Sequence, residues 1–263
     1  MKKLTLGLLA TAALLSSTAI ASAASIVALT KDGSLVSLDT ESRMAMKSVK
    51  VSGTSAALLG IDVRPANGLL YGVDITGAIY VIDGETGAAK MVSKLDKSFP
   101  ADGKATVDFN PAADRLRLMS SDGTNFRVNV DTGAVVVDGS TAYAKDGPMM
   151  GKKAMVVAGA YTNSVNPKPE KTALYTINPD SDMLYLQSPP NDGVQQPVGK
   201  LGADIGPDIG FDIMADGKGG NMGVLYAMDA LHTVDLKTGA VTTLGKVTGV
   251  TGPLVDFAFV PGM

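Results

Sequence analysis

Five stretches of this chain open in the same way: GIDVRP at 60–65, TVDFNP at 106–111, VVAGAYTN at 156–163, GFDIMA at 210–215 and VDFAFVP at 255–261. Four of them hold an Asp between apolar residues. Asp62 and Asp108 are 46 residues apart, Asp108 and Asp212 are 104 apart, and Asp212 and Asp256 are 44 apart. The middle spacing equals two repeats of 52, with the degenerate VVAGAYTN between them. A period of 44–52 residues restricts the chain to a repeat architecture, in which each unit buries its apolar faces against its neighbours.

Each opening is followed by a second run: LLYGVDI, RLRLMSS, ALYTINP or VLYAMDA. A third run follows, in three units ending at a Thr-Gly turn (IYVIDGETG, FRVNVDTG, TVDLKTG), and then a more variable fourth, as in AVVVDG and AVTTLGKV. Runs rich in Val, Ile, Leu and Tyr between Gly, Asp, Asn and Pro turns are strand and hairpin signals. Asp bonds its own backbone in such turns and Gly supplies positive φ. Beyond the N-terminal segment no helical pattern stands out. Four strands per repeat is the pattern of a β-propeller blade.

The first strand at 255–261 has no second strand after it, while residues 24–50 read as second, third and fourth strands with no first. Counting from Asp256 to residue 263 and on from residue 24 to Asp62 gives 46, the interior repeat. The expected fold is therefore all-β: a five-bladed β-propeller of four-stranded blades, closed by pairing of the N- and C-terminal segments in one blade. Blade one joins 24–57 with 254–263. Blades two to five span about 58–103, 104–152, 153–206 and 207–253. A sandwich or a β-helix would leave the split repeat unexplained.

Residues 1–23 read as a signal peptide: Lys2 and Lys3, an apolar run, then Ala21-Ser22-Ala23 as an A-x-A cleavage site. The run is short for a membrane anchor and contains several Ser and Thr. The mature domain is then 24–263, with no membrane span and a periplasmic or secreted location. It carries 21 basic and 26 acidic residues, a net charge of −5. With no basic cluster and no Trp, nucleic acid and anionic membrane surfaces are poor partners. The absence of Cys removes thiol catalysis, zinc-thiolate sites and disulfides, so the core alone must hold the domain.

The recurring Asp62, Asp108, Asp212 and Asp256 are the first site candidates. The innermost strand of each blade borders the central channel, so a residue repeated on it can face the axis. Four carboxylates there repel one another, at about 2 kcal/mol for a unit pair ~8 Å apart with an effective dielectric constant near 20. Such a ring would recruit a cation, Ca²⁺ with its oxygen ligands, with help from Asn110 or Asn163. Alternatively each Asp satisfies backbone N–H groups within its blade, and repetition favours that structural role.

Blade three places Arg115 and Arg117 between Leu116 and Leu118, and Asn125, Arg127 and Asn129 between Phe126, Val128 and Val130. Arginines covered by neighbouring blades need carboxylates or a route to solvent. Arg117, Arg127 and Asn125 form an anion- or sugar-binding patch in one reading. In the other they join a buried ion-pair network with Asp108 or Asp114. In blade four, Tyr161, Asn163, Gln187, Asn191 and Asp192 fall in turns that propeller topology brings to one face, and Pro189 and Pro190 stiffen one of them. The loop ADGKGGNMG at 215–223 lies between strands, so its glycines are no dinucleotide fingerprint. His232 is the one histidine, and no Gly-x-Ser-x-Gly elbow accompanies it. NPDSDM at 178–183 lacks the Gly and distal Glu of a calcium loop.

The stretches DFNPAADRLRLMSSDGTNFRVNVDTG, AYTN, LYLQSPPNDG with VGKLG, and GFDI resemble a bacterial family of exported β-propellers, domain of unknown function 4394, across nearly the whole mature chain. The resemblance implies a propeller fold and export, and it implies no activity and no catalytic residues. The expected function is a non-catalytic binding or interaction module, a monomer whose partner is a glycan, a peptide or an envelope protein. The alternative is a Ca²⁺-dependent hydrolase or lactonase-like enzyme with its site in the central channel; fold alone does not decide between them.

Overall fold

The computed structural model describes residues 25–100, 104–147, 149–206 and 208–260. The signal-peptide reading of residues 1–23 lies outside them. Twenty-one strands form five sheets, and apart from one 3-10 turn at Pro190–Asp192 the described residues contain no helix. None of them forms a helix long and apolar enough to cross a membrane.

Blade one is built from both ends of the chain. Its inner strand β21 (Leu254–Val260) pairs antiparallel with β1 (Ser25–Thr30), followed by β2 (Ser34–Asp39) and β3 (Met44–Lys50). Blade two runs β4 (Leu58–Arg64), β5 (Leu69–Asp74), β6 (Ala78–Ile82) and β7 (Ala89–Lys94). Blade three runs β8 (Ala105–Asn110), β9 (Arg115–Ser120), β10 (Asn125–Val128) and β11 (Val135–Val137). The two-residue strand β12 (Ala142–Tyr143), in the stretch read from sequence with blade three, pairs parallel with the outer strand of blade four. Blade four thus has five strands: β13 (Ala158–Tyr161), β14 (Leu174–Asn178), β15 (Met183–Gln187), β16 (Val194–Lys200) and β12. Blade five runs β17 (Gly210–Ala215), β18 (Asn221–Ala227), β19 (Ala230–Val234) and β20 (Val241–Lys246). The innermost strands β21, β4, β8, β13 and β17 contact one another in that cyclic order, which closes the ring.

The core is not one mass but a series of seams between blades. Ile26, Val36, Tyr226 and Phe257 fill the seam between blades five and one; Leu29, Ile61, Leu70 and Tyr80 fill that between one and two. Val73, Phe109 and Leu116 pack between two and three, and Ile177, Phe211 and Leu225 between four and five. Among the described residues the seam between three and four holds only a small apolar cluster, Met119, Val156, Tyr161 and Leu174. Buried apolar area contributes roughly 25 cal/mol per Å², so that seam needs another source of cohesion. The polar network described below fills it.

The turn between third and fourth strands docks each blade on the one before it. The amide N–H of Ser52 donates to Gly87 O (2.9 Å), Asp96 to Gly133 O (3.0 Å), Gly139 to Asn191 O (2.9 Å), Val241 to Leu201 O (3.0 Å) and Thr248 to Arg43 O (3.0 Å). The Thr-Gly turns fit this role. Asp83 Oδ1 accepts from the N–H of Glu85 and Thr86, and Asp235 Oδ1 from those of Lys237 and Thr238. Gly133 has φ +77°, and a Cβ there would lie 1.8 Å from the carbonyl oxygen of Lys94 in the preceding blade. Only glycine meets both demands.

Candidate functional site

The inner strands bring Asp62, Asp108, Asp212 and Asp256 to the axis, where their charges act on one another. Their hydrogen bonds cross the seams rather than staying within one blade. Asp62 Oδ2 accepts the N–H of Phe109 in blade three (2.6 Å), Asp108 Oδ1 that of Tyr161 in blade four (2.9 Å), Asp212 Oδ2 that of Phe259 in blade one (2.8 Å), and Asp256 Oδ2 that of Ile61 in blade two (3.1 Å). The second oxygens of Asp62, Asp212 and Asp256 accept from the next residue of their own strand, Val63, Ile213 and Phe257. The within-blade bonding expected from sequence is thus half of the pattern; the bond into the next blade is the other half. Blade four has Ala160 at the place of the carboxylate, opposite Tyr175 as Asp62 is opposite Tyr71. Among the described residues its seam with blade five has no such carboxylate stitch.

Burial dominates the electrostatics of the ring. It pushes the Asp62 and Asp108 carboxyls well above the usual carboxylate range, and the neighbouring ring carboxylates push them further. Burial raises Asp256 as well, against its two backbone bonds. Asp212 is pushed up to about 6 by burial, opposed by the N–H groups of Phe259 and Ile213. Desolvation outweighs the backbone donors at all four positions. Among the described residues no three His, Asp or Glu side chains are grouped to hold a metal ion. Asn110 Oδ1 accepts the N–H of Ala113 in its own turn.

At the end of the channel where the first strands terminate, a cavity of about 650 Å³ opens to solvent. Asp62 and Asp212 line it, with Asn67 from the first turn of blade two, Ser164 and Asn166 from blade four, and Asp216 from blade five. Phe259, Val165, Ile213 and Val63 supply apolar wall. Asp108 and Asp256 are not among the lining residues. The turn residues escaped the sequence reading although topology already placed first-to-second turns on one face; nothing but that topology marked them. Asn163, beside the cavity, is tied to blade five: its N–H donates to Asn221 Oδ1 (2.7 Å), and Asn221 Nδ2 donates back to its Oδ1 (2.8 Å).

The remaining candidates converge elsewhere, in the apolar-poor seam between blades three and four. Arg117, 1% exposed, donates to Tyr161 Oη (3.1 Å), Asn125 Oδ1 (2.7 Å), Asp138 Oδ2 (2.7 Å) and Asn191 Oδ1 (3.0 Å). Arg127 forks onto the same carboxylate at 2.7 and 2.9 Å. Five of the proposed ligand residues, Arg117, Asn125, Arg127, Tyr161 and Asn191, therefore bond to one another or through Asp138. The acceptor is Asp138, not Asp108 or Asp114. Asp108 is taken by Tyr161 N–H, and Asp114 is held by Arg64 at 2.7 Å. The ladder of β10 with β11 sets Phe126 opposite Val137, which carries residue 138 to the level of Asn125. Asp192 stays exposed beside this network without joining it. Gln187 is buried and accepts from Gln195. His232 is buried in blade five, its ring nitrogens 3.1 Å from Thr243 Oγ1 and 3.3 Å from Ala227 O.

A family model described as Domain of unknown function (DUF4394) matches residues 34–258. No curated protein matches the chain. Among solved structures it is similar to a structural-genomics protein of unknown function from Bacteroides thetaiotaomicron VPI-5482, at 16% identity and a TM-score of 0.55, over 89% of this chain and 61% of that one. It is also similar to a chain of a nidogen/laminin complex, at 12% identity and a TM-score of 0.54, over 91% and 98%. At these identities the likeness shows the fold alone.

Proposed function

The chain belongs to the family described as Domain of unknown function (DUF4394), and because that description assigns no activity, we propose from the geometry of the site that it is an exported, non-catalytic binding module whose ligand seats in the acidic mouth of the axial channel. The observation that carries this reading is the cavity of about 650 Å³ walled by turns from blades two, four and five. A concave site of mixed apolar and polar lining, few per protein, is the usual form of a small-ligand site. The arginine network supports the same choice by contrast, since the protein's own acceptors already take its donors. His232 lies in a blade, bonded to a hydroxyl and a carbonyl, away from the lining residues. The ligand's source is a glycan, a peptide or an envelope protein.

Amide NMR tests the proposal. Val63, Ile213 and Phe259 line the cavity, and their N–H groups bond its carboxylates. A panel of short sugars, dipeptides and amines should contain members that move these three resonances saturably. A panel that leaves them unmoved rejects the site. Export rests on Lys2, Lys3 and Ala21-Ser22-Ala23. Protein taken from the native envelope should begin near Ala24, and an intact Met1 on soluble mature protein would reject export.

A further inference from the structure

We infer that the axial mouth is the inner end of a longer groove, and that the groove takes a linear, uncharged oligosaccharide. This deepens the binding reading above and rests on it. A second cavity, of about 400 Å³, lies beside the mouth, walled by Asn163, Pro169, Glu170 and Lys171 of blade four and by Gly219 of blade five. Val165, Ala215 and Gly217 line both cavities, so the two adjoin between the first-to-second turns of blades four and five. Each falls within the about 300–1,000 Å³ of a pocket for one small ligand, and a chain of repeated units can fill both.

The second observation is the loop that walls both cavities. The connection from first to second strand has four residues in blades two and three (65–68 and 111–114), five in blade five (216–220) and twelve in blade four (162–173). Connections of that length in compact domains are commonly binding loops. This one is clipped at its base. Thr172 Oγ1 donates to Thr162 O (2.6 Å), the N–H of Ala173 to Thr162 Oγ1 (2.9 Å) and Asn163 Nδ2 to Lys171 O (2.9 Å). Asn163 sits at φ +58°, and its paired bonds with Asn221 fix the loop against the opposite wall. On that wall a Cβ at Gly217 or Gly219 would meet nothing within 4 Å, so bare backbone leaves the path open. A groove with fixed walls binds without the cost of ordering them.

The lining selects the chemistry. Among the described lining residues Asp62, Asp212, Asp216 and Glu170 outnumber the single cation, Lys171, which disfavours an anionic chain. The carboxylates are not bare charges awaiting a cation. Asp62 and Asp212 accept backbone N–H groups at both oxygens, and Asp216 Oδ1 accepts those of Lys218 and Gly220. These oxygens keep further lone pairs, which suit a neutral donor such as a hydroxyl. Asn166, exposed at the mouth, presents an amide donor and an acceptor side by side, the complement of two neighbouring hydroxyls. Phe259, Val165 and Pro169 supply apolar surface for the C–H faces of sugar rings. The outer cavity is walled by turn residues and the last residue of β17, which give an extended peptide no strand edge to pair with.

The probes are linear, neutral hexasaccharides of glucose, mannose, galactose and N-acetylglucosamine, the disaccharide of each, and penta-alanine, titrated into the full mature chain. The readouts are calorimetry and two sets of amide resonances: Val63, Ile213 and Phe259 for the mouth, and Asn163, Lys171 and Gly219 for the outer cavity. At least one hexasaccharide should move both sets and bind at least about tenfold more tightly than its disaccharide. Ala215→Leu, at the neck shared by the two cavities, should cut that ratio to about twofold. Asn166→Ala, on the exposed loop, should weaken the hexasaccharide about threefold and serves should the first variant fail to fold. Hexasaccharides that bind no more tightly than their disaccharides, or binding indifferent to both variants, overturn the inference. If penta-alanine moves both sets and the saccharides move neither, the groove stands and the sugar assignment falls. If probes move the mouth amides alone, the binding site stands and the extended groove falls. If no probe moves either set, both readings fall.

Discussion

Arg117 and Arg127 share one carboxylate but stand in different surroundings, and their substitution separates burial from charge. Arg117→Ala removes the donor to the buried Asn125 and one of the two ion-pair partners of Asp138, and takes from Tyr161 one of its bonds; loss of a buried, fully bonded partner costs about 3–5 kcal/mol. Arg127 is one-third exposed, and Asp138 keeps Arg117 when it is removed, so Arg127→Ala should cost about 1 kcal/mol. Urea unfolding midpoints of the two variants check the ordering; equal losses would mean that the seam does not depend on Arg117. At this scale the sequence was partly legible. Alternation in RLRL and NFRV required charged partners for the arginines, but nothing local marked Asp138, because a carboxylate after a fourth strand is brought in by ladder register. The four axial carboxylates were legible as a repeat. Their bonds into the next blade were not, since periodicity carries no information on which neighbour's N–H lies within reach.

At the scale of the element, the turn between third and fourth strands links the blades around the rim. In Gly133→Ala the positive φ and the 1.8 Å approach to Lys94 O act together, so the variant should lose about 2–4 kcal/mol. Gly68 has a similar φ of +70° with open space around it, and Gly68→Ala should lose only about 1 kcal/mol. Thermal midpoints of the pair measure the contribution of docking beyond backbone strain; equal midpoints would contradict the docking role. These turns were readable from Asp, Thr and Gly in three repeats. The two-residue strand β12 was not: it pairs parallel with β16, and so short a run has no period to detect.

At the scale of the molecule, closure depends on β21. Removing 255–263 takes away the inner strand of blade one, its buried Phe257 and Ala258, and the stitch from Asp256 to Ile61. The thermal midpoint should fall by at least about 10 °C, well beyond the effect of an ordinary nine-residue tail; an unchanged midpoint would mean that β21 does not close the ring. The split repeat made this closure legible before any coordinates, because five equal units account for both ends only when those ends share a blade.

The ring it closes is stitched by carboxylates that burial disfavours in their charged form, and that is the central claim. A folded state that holds protons more tightly than the unfolded chain loses stability as pH rises. For Asp212 the loss runs from about pH 4, the ordinary carboxylate range, to about 6, and amounts to about 3 kcal/mol at 1.36 kcal/mol per pH unit. Asp62, Asp108 and Asp256 extend the window upward. The carboxylates held low, among them Asp32, Asp39, Asp83 and Asp235, titrate below pH 4 and act only on the acid side. The direct test is the urea midpoint of the mature chain between pH 4.5 and 8, alongside Asp212→Asn. Stability should peak near pH 4–5 and fall toward pH 8, and the variant should fall less steeply; a wild-type midpoint that is flat or rises from pH 5 to pH 8 would contradict the account.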